Sequence, residues 1–246
     1  MSLVTQGQVQ KLWLAPHVYA CRSEDQVILL DLRRDKYLGV GGVHMPALSD
    51  AVEGWPPDPV VNDVPVSSAD LSAVTKRLML QGLLTDRPPG KEWRSSATVP
   101  EAISSLVDED SAHRVRIGLR RMFWFLQSVA AAALSLRCRS LLAVVGAVAT
   151  RRERLTVGAE PFSLAAARDA VAAFDRLRPL VFTSRDKCLF DSLALVNFLA
   201  HEGIFPRWVV GVHTGPFGAH SWVQSGGLVL NDLHQRVRRF RPILVV

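Results

Sequence analysis

Cysteine is scarce in this chain of 246 residues: Cys21, Cys138 and Cys188 are odd in number and far apart. No CxxC or HxxxH spacing occurs, so neither a disulfide framework nor a zinc site is expected, and the chemistry calls for no cofactor. The cytoplasm is the default compartment for such usage. Long hydrophobic runs are also missing. The longest apolar stretch, Met122 to Leu136, ends at Arg137, with Arg139 close behind. It is shorter than the roughly 20 residues a membrane-spanning helix needs, so a buried helix is expected and stable membrane insertion is not. The first residues, MSLVTQGQVQKLWLAP, lack the basic start and apolar run of a secretory signal.

What is present suffices for a packed core: 48% hydrophobic residues and a mean hydropathy of +0.15. The length suits one large domain or two small ones. The net charge of +6 is uneven, with residues 1–95 net −1 and residues 96–246 net +7. A basic half attracts an acidic peptide or a nucleic acid. Here the arginines are scattered among apolar residues, which favours a solvated helix face. Residues 86–100, DRPPGKEWRSSATVP, are rich in Pro, Ser and charge without apolar periodicity. They predict a domain at 1–88, a linker at 89–110 and a second domain at 111–246.

The first domain reads as three strands, Leu12–Cys21, Val27–Leu32 and Lys36–Val40, with turns at Ser23–Asp25 and Arg33–Asp35. Helices are predicted next: a short one over Val43–Val52, then Ser68–Gln81, capped by Ser67 or Ser68 and stopped by Gly82. Leu71, Val74, Leu78 and Met79 form the apolar stripe of the latter. Three strands followed by helices is a winged-helix-like arrangement. DNA binding is the obvious alternative, but the segment is acidic and its last helix offers only Lys76 and Arg77 to a phosphate backbone. An extended peptide added to a strand edge is the better expectation, and no nucleic acid partner is predicted.

The second domain is helical first and stranded last, an α+β pattern. Residues 113–150 carry AAAALSL and SLLAVVGAVA as buried faces. Phe162–Leu177 follows, capped by Ser163, with Leu164, Ala167, Val171 and Phe174 inward, and then a helix over 188–202. Strands are predicted at 207–213, 219–224 and 228–232.

Cys188 opens the 188–202 helix after the polar stretch Ser184–Lys187, with Leu189, Leu193, Val196 and Leu199–Ala200 as its buried stripe. The positive end of the helix macrodipole lowers a thiol pKa there, and Lys187 adds to it. A buried structural cysteine is the competing explanation, as it is for Cys21 and Cys138, which read as small core residues. The hairpin beyond shifts the balance. If Ser225–Gly227 is a three-residue loop, Gln224 faces Leu228, Trp222 faces Leu230 and His220 faces Asp232, on one side of the ladder. Asp232 then orients His220, which takes the proton of Cys188. A two-residue Gly226–Gly227 turn shifts the pairing by one and spoils it unless a bulge restores the register. His213 ends the neighbouring strand and can line the cleft, and His234 lies just past Asp232. His17, His44, His113 and His201 read as surface or loop residues. The backbone N–H of Cys188 is one oxyanion donor; the sequence does not identify a second.

The segment CLFDSLALVNFLAHEGIFPRWVVGVHTGPFGAHSWVQSGGLVLND resembles the C-terminal region of the B proteins of lasso-peptide biosynthesis, which are papain/transglutaminase-like cysteine proteases. The likeness lies in the Cys-Leu start, the SLAL helix, the VGV strand, the PF-x-AH-x-W block and the ND after a Gly hairpin. The spacings of 32 residues from Cys188 to His220 and 12 to Asp232 are also typical. VILLDLRRDKYLGV resembles strands two and three of the leader-recognition domain of peptide-modification pathways. Two departures stand out: Asp191 where many relatives have a basic residue, and HSW where HAW is commoner. The resemblance implies a leader peptidase with Cys188, His220 and Asp232 as catalytic residues, acting on a precursor peptide. The exposed amine would pass to an asparagine-synthetase-like lasso cyclase. The leader would add beside Lys36–Val40, with Lys36, Tyr37, Leu38, Val40, Leu71, Val74 and Leu78 as its binding residues. A transglutaminase-like acyl transferase, or a non-catalytic peptide- or DNA-binding regulator, is the alternative.

Overall fold

The computed structural model describes residues 11–41, 45–57, 68–88, 98–107, 115–156, 162–181 and 187–246. The Ser67 cap, His44, His113, the predicted loop at 184–186 and most of the predicted linker lie outside them. The chain divides into two compact units, Met1–Ser95 and Ser96–Val246.

The first unit runs β1 (Leu12–Leu14), β2 (Val18–Ser23), β3 (Gln26–Asp31), β4 (Lys36–Gly41), α1 (Met45–Ala51), β5 (Val52–Glu53), α2 (Ser68–Leu80) and β6 (Leu84–Thr85). The single first strand expected from sequence is two. Pro16 cannot donate to a ladder, and the chain turns there, Val18 N–H donating to Ala15 O (2.8 Å) and Ala15 N–H to Leu83 O (3.0 Å). The turn sends β1 to a sheet ordered β5-β1-β6 and β2 to a meander ordered β2-β3-β4. The two meander turns place Glu24 (φ 52°) and Asp35 (φ 51°) in the left-handed region. Buried Asp31 organises the second turn. It accepts from the backbone N–H of Arg33 (2.8 Å) and Arg34 (3.2 Å) and from Arg34 Nη1 (2.7 Å). Arg34 also donates to Gln81 O (2.8 Å), just beyond α2, and Gly82 (φ 71°) ends that helix. His17, expected at the surface, is buried 3.7 Å from Asp31. Met79, expected inward, is exposed, because the core reaches α2 through Leu71, Val74 and Leu78.

The second unit contains β7 (Ser104–Ser105), α3 (Leu119–Cys138), α4 (Leu141–Thr156), α5 (Leu164–Leu177), a 3-10 turn (Arg178–Leu180), α6 (Cys188–His201), β8 (Arg207–Thr214), β9 (Phe217–Ser225), β10 (Leu228–Val229), α7 (His234–Val237) and β11 (Arg241–Val245). The strands form one sheet ordered β11-β8-β9-β10-β7. Arg139 breaks α3 from α4 in an extended conformation, and Ser140 Oγ accepts from Ala143 N–H (3.3 Å) at the new helix start. Ser163 caps α5 as expected, accepting from Ala166 N–H. Leu164, however, is exposed in that first turn. Only Ala132 of the predicted AAAALSL face is fully buried, and Cys138 is exposed rather than core, because α3 has a single packed face.

Helix α6 is buried on every side from Asp191 to Leu199, more than the stripe its pattern implied. An aromatic stack sets the helices beside it: Phe125 of α3 lies edge-on to Phe174 of α5 (5.4 Å), which meets Phe198 of α6 (5.7 Å). At the end of α6, Glu202 accepts from Arg121 Nε (2.9 Å) and Nη2 (3.3 Å). No helix among the described residues is long and apolar enough to cross a membrane.

Candidate active site

The β9–β10 hairpin does not follow the expected three-residue loop. Leu228 pairs with Ser225 and Val229 with Gln224, so the turn is the two-residue Gly226–Gly227, Gly226 taking φ 57°. This register alone would put His220 and Asp232 on opposite faces. The ladder stops after Leu230, whose N–H donates to Val223 O (2.9 Å). Asn231 then turns its side chain inward, Oδ1 accepting from Val223 N–H at 2.8 Å. The side-chain amide satisfies the strand in place of the next backbone group, and the main chain bends. Asp232 returns to His220, Nε2–H donating to Asp232 Oδ2 at 2.5 Å. Irregular backbone does what a bulge would have done.

The structure therefore brings Cys188, His220 and Asp232 together. Cys188 is half-buried at the first position of α6. A side-chain hydrogen bond from His220 is the main force lowering its thiol pKa. Burial opposes the shift, and the backbone N–H groups of Ser221 and Leu189 assist it. The Leu189 N–H is one of the first-turn donors a helix leaves unpaired. For His220, burial favours the neutral ring, but the hydrogen bonds to Asp232 and Cys188 prevail and lift the pKa to about 9. Nε2 is engaged by Asp232, so Nδ1 is left for the thiol. Burial raises Asp232, but its bonds to His220 and the Leu233 N–H (2.8 Å) hold it below the usual carboxylate range. A thiol and an imidazole shifted towards each other's charged forms make the ion pair that cysteine hydrolases and acyl transferases use.

Aromatic rings enclose the imidazole: Phe240 at 5.1 Å and Trp222 at 6.1 Å. Gly211, opposite His220 on β8, gives Trp222 its room, for a Cβ there would lie 2.8 Å from the indole. His213 packs on Phe240 (4.8 Å), and His234 Nδ1 lies 3.4 Å from Ser105 Oγ, so neither joins the Cys188 group. His201 stacks on Trp124 (5.5 Å).

Both departures noted in the sequence sit against this site. Ser221 gives its backbone N–H to Cys188, while its hydroxyl bonds Ser192 Oγ (2.8 Å), Trp208 Nε1 (2.9 Å) and Val209 O (3.0 Å). This buried knot ties α6 to β8 and β9 one turn past the nucleophile. Asp191 is buried, accepting from Arg178 Nη1 (3.4 Å) and Asn231 Nδ2 (3.2 Å). Arg178 also meets Asp175 (3.4 Å), whose pKa burial pushes up to about 6. Ser192 and Asn231 stand in the SLAL and ND blocks without a role that the sequence could assign, and Arg178 carried no signal; only the fold makes them neighbours. Among the described residues no cluster of His, Cys, Asp or Glu suits a metal.

The leader-binding candidates lie in the first unit. Strand β4 is an edge of its meander, with Lys36 and Leu38 exposed and Tyr37 and Val40 half-buried. Leu71 and Val74 pack partly on the core and Leu78 lies within it, which marks Leu78 as structural.

Comparison with known proteins places this geometry. A family model of the Transglutaminase-like superfamily matches residues 132–245, which include all three residues of the Cys188 group. The microcin J25-processing protein McjB of Escherichia coli is 46% identical over 48 residues, 20% of this chain. The matched stretch spans 23% of that relative's length. No solved structure matches. The transglutaminase-like match and the likeness to McjB together support a protein of the B type of lasso-peptide biosynthesis.

Proposed function

We propose that the chain is a leader peptidase: it binds the leader of a ribosomal precursor peptide and cuts between leader and core. The hydrogen-bonded series Cys188–His220–Asp232 carries the reading. The Cys188 thiolate attacks the carbonyl carbon of the last leader residue. The carbon–nitrogen bond breaks, His220 gives its proton to the departing amine of the core, and the leader remains as a thioester on Sγ. Water, deprotonated by His220, then attacks the thioester; the leader leaves as a carboxylate and the thiol is restored. Asp232 holds the imidazole in the required orientation and stabilises its charged form. The freed core amine suits a later acylation by a partner cyclase.

The leader is read by strand addition at β4, a strand of six residues that lies at an edge of its meander among the described residues. DNA binding is disfavoured by the acidic charge of this unit.

The test is Cys188→Ala, incubated with a leader–core precursor peptide and read by mass spectrometry. Cleavage should be lost while leader binding survives. Release of leader by the variant would sink the reading. A parallel reaction of the unaltered chain with a small amine separates the alternatives. Leader carboxylate marks hydrolysis, whereas a leader–amine adduct as sole product marks acyl transfer.

A further inference from the structure

Away from the Cys188 group, α4 ends in a concentration of positive charge, Arg151, Arg152 and Arg154 around Glu153. A groove of about 480 Å³ runs along this helix, lined by Arg139, Thr150, Arg151 and Arg154, with Ala147 and Leu155 as apolar walls. Among the described residues, Arg151 Nη2 and Arg152 Nε are shielded from solvent and have no hydrogen-bond partner. Leaving a charged donor buried and unpaired is costly. The nearby charges make matters worse. Burial lowers the pKa of His201 and Arg151 lowers it further; burial likewise lowers Arg152, with Arg207 adding to the shift and only Glu153 opposing it. The gap between α4 and the end of α6, bounded by Arg151, Arg152, Ala200 and Ile204, is about 10 Å³. It has room for one water at most, so Arg151 Nη2 and Arg152 Nε are closed to an ion, and the cations that line the groove itself are Arg139, Arg151 and Arg154.

We propose that this groove binds a small, multiply charged phosphate anion, a condensed phosphate or phosphate ester. Arg151 and Arg154 are three residues apart on one helix face, so their side chains emerge about 5–6 Å from each other. Planar guanidinium forks match phosphate oxygens in pairs. Arg139 approaches from the α3–α4 break, and Thr150 adds a hydroxyl. Several cations around so small a groove favour a compact polyanion over a peptide carboxylate with one charge. A nucleic acid needs a longer basic track. The site sits by the C-terminal end of α6, and Cys188 is at the other, about 18 Å along the axis. Binding is therefore independent of the thiol and of the peptidase reading.

The test is calorimetric titration of the full chain with pyrophosphate and with tripolyphosphate at fixed ionic strength. Saturable one-to-one binding and a rise in melting temperature are expected. Arg151→Gln and Arg154→Gln should each weaken affinity about tenfold or more, while Arg77→Gln in the other unit leaves it unchanged. Arg154 is exposed, so its variant remains informative if Arg151→Gln does not fold. Absence of saturable binding overturns the proposal, as does equal weakening by Arg77→Gln, which would mark a diffuse charge effect. Binding of a polyglutamate peptide, an RNA oligomer or anionic vesicles without binding of either condensed phosphate overturns it too.

Discussion

His220 is held between two groups that both favour its proton, and this predicts the pH behaviour of the proposed reaction. The active pair is thiolate with imidazolium. Its population rises with pH as Cys188 ionises, below the ordinary thiol value of 9.0, and falls as His220 loses its proton at about 9. A bell-shaped profile of kcat/KM with a basic limb near 9 is expected. In Asp232→Asn the charge that raises His220 is gone and the bond from Nε2–H is reduced to a neutral one. The basic limb should move towards 6.5 and the rate fall on the order of 10²-fold or more; an unmoved limb would show that Asp232 does not control His220. Asp191 lies one step further out, accepting from Asn231 Nδ2. Asp191→Asn takes a charged acceptor from Arg178 and Asn231, which should cost roughly 1.5–3 kcal/mol of stability in denaturant unfolding. If Asn231 positions Asp232, kcat also falls while KM stays. A stability loss with unaltered kcat would leave Asp191 a purely structural role.

At the scale of elements, α6 joins stability to chemistry. Its first residue is the thiol, its middle is buried all round, and the Ser192–Ser221–Trp208 knot pins its start to the sheet. Phe174 of α5, wholly buried between Phe125 and Phe198, supports the same helix. Phe174→Ala should destabilise the second unit by about 3–5 kcal/mol in chemical denaturation. A loss below 1 kcal/mol would mean that the helices close over the space. This helix was legible because an apolar run after a polar start is a local pattern. The β9–β10 hairpin was less so. Its strands could be read from alternation, but the choice between a two- and a three-residue turn depends on what the chain beyond the turn can bond.

For the whole molecule, the proposed function gives recognition and cutting to different units. A variant of the β4 edge should therefore change binding without touching the chemistry. Leu38→Asp places a charge on an exposed side chain of that strand, where an added leader strand would pack its own side chains. It should raise KM for precursor severalfold and leave kcat at saturating peptide unchanged. A drop in kcat with KM constant would place leader contacts elsewhere.

Cys188, His220 and Asp232 could be chosen from sequence because residue type, a helix start and short spacing are local properties. The α+β order of the second unit was readable for the same reason. Tertiary structure decided how the three meet. The two-residue turn set the wrong register, and Asn231 corrected it by substituting its amide for a backbone partner on β9. It also decided that Asp191 is buried rather than presented to substrate, that His17 is inside, and that Cys138 and much of α3 face solvent. Burial and long-range hydrogen bonds depend on which elements pack together, and no periodicity within a single segment encodes that.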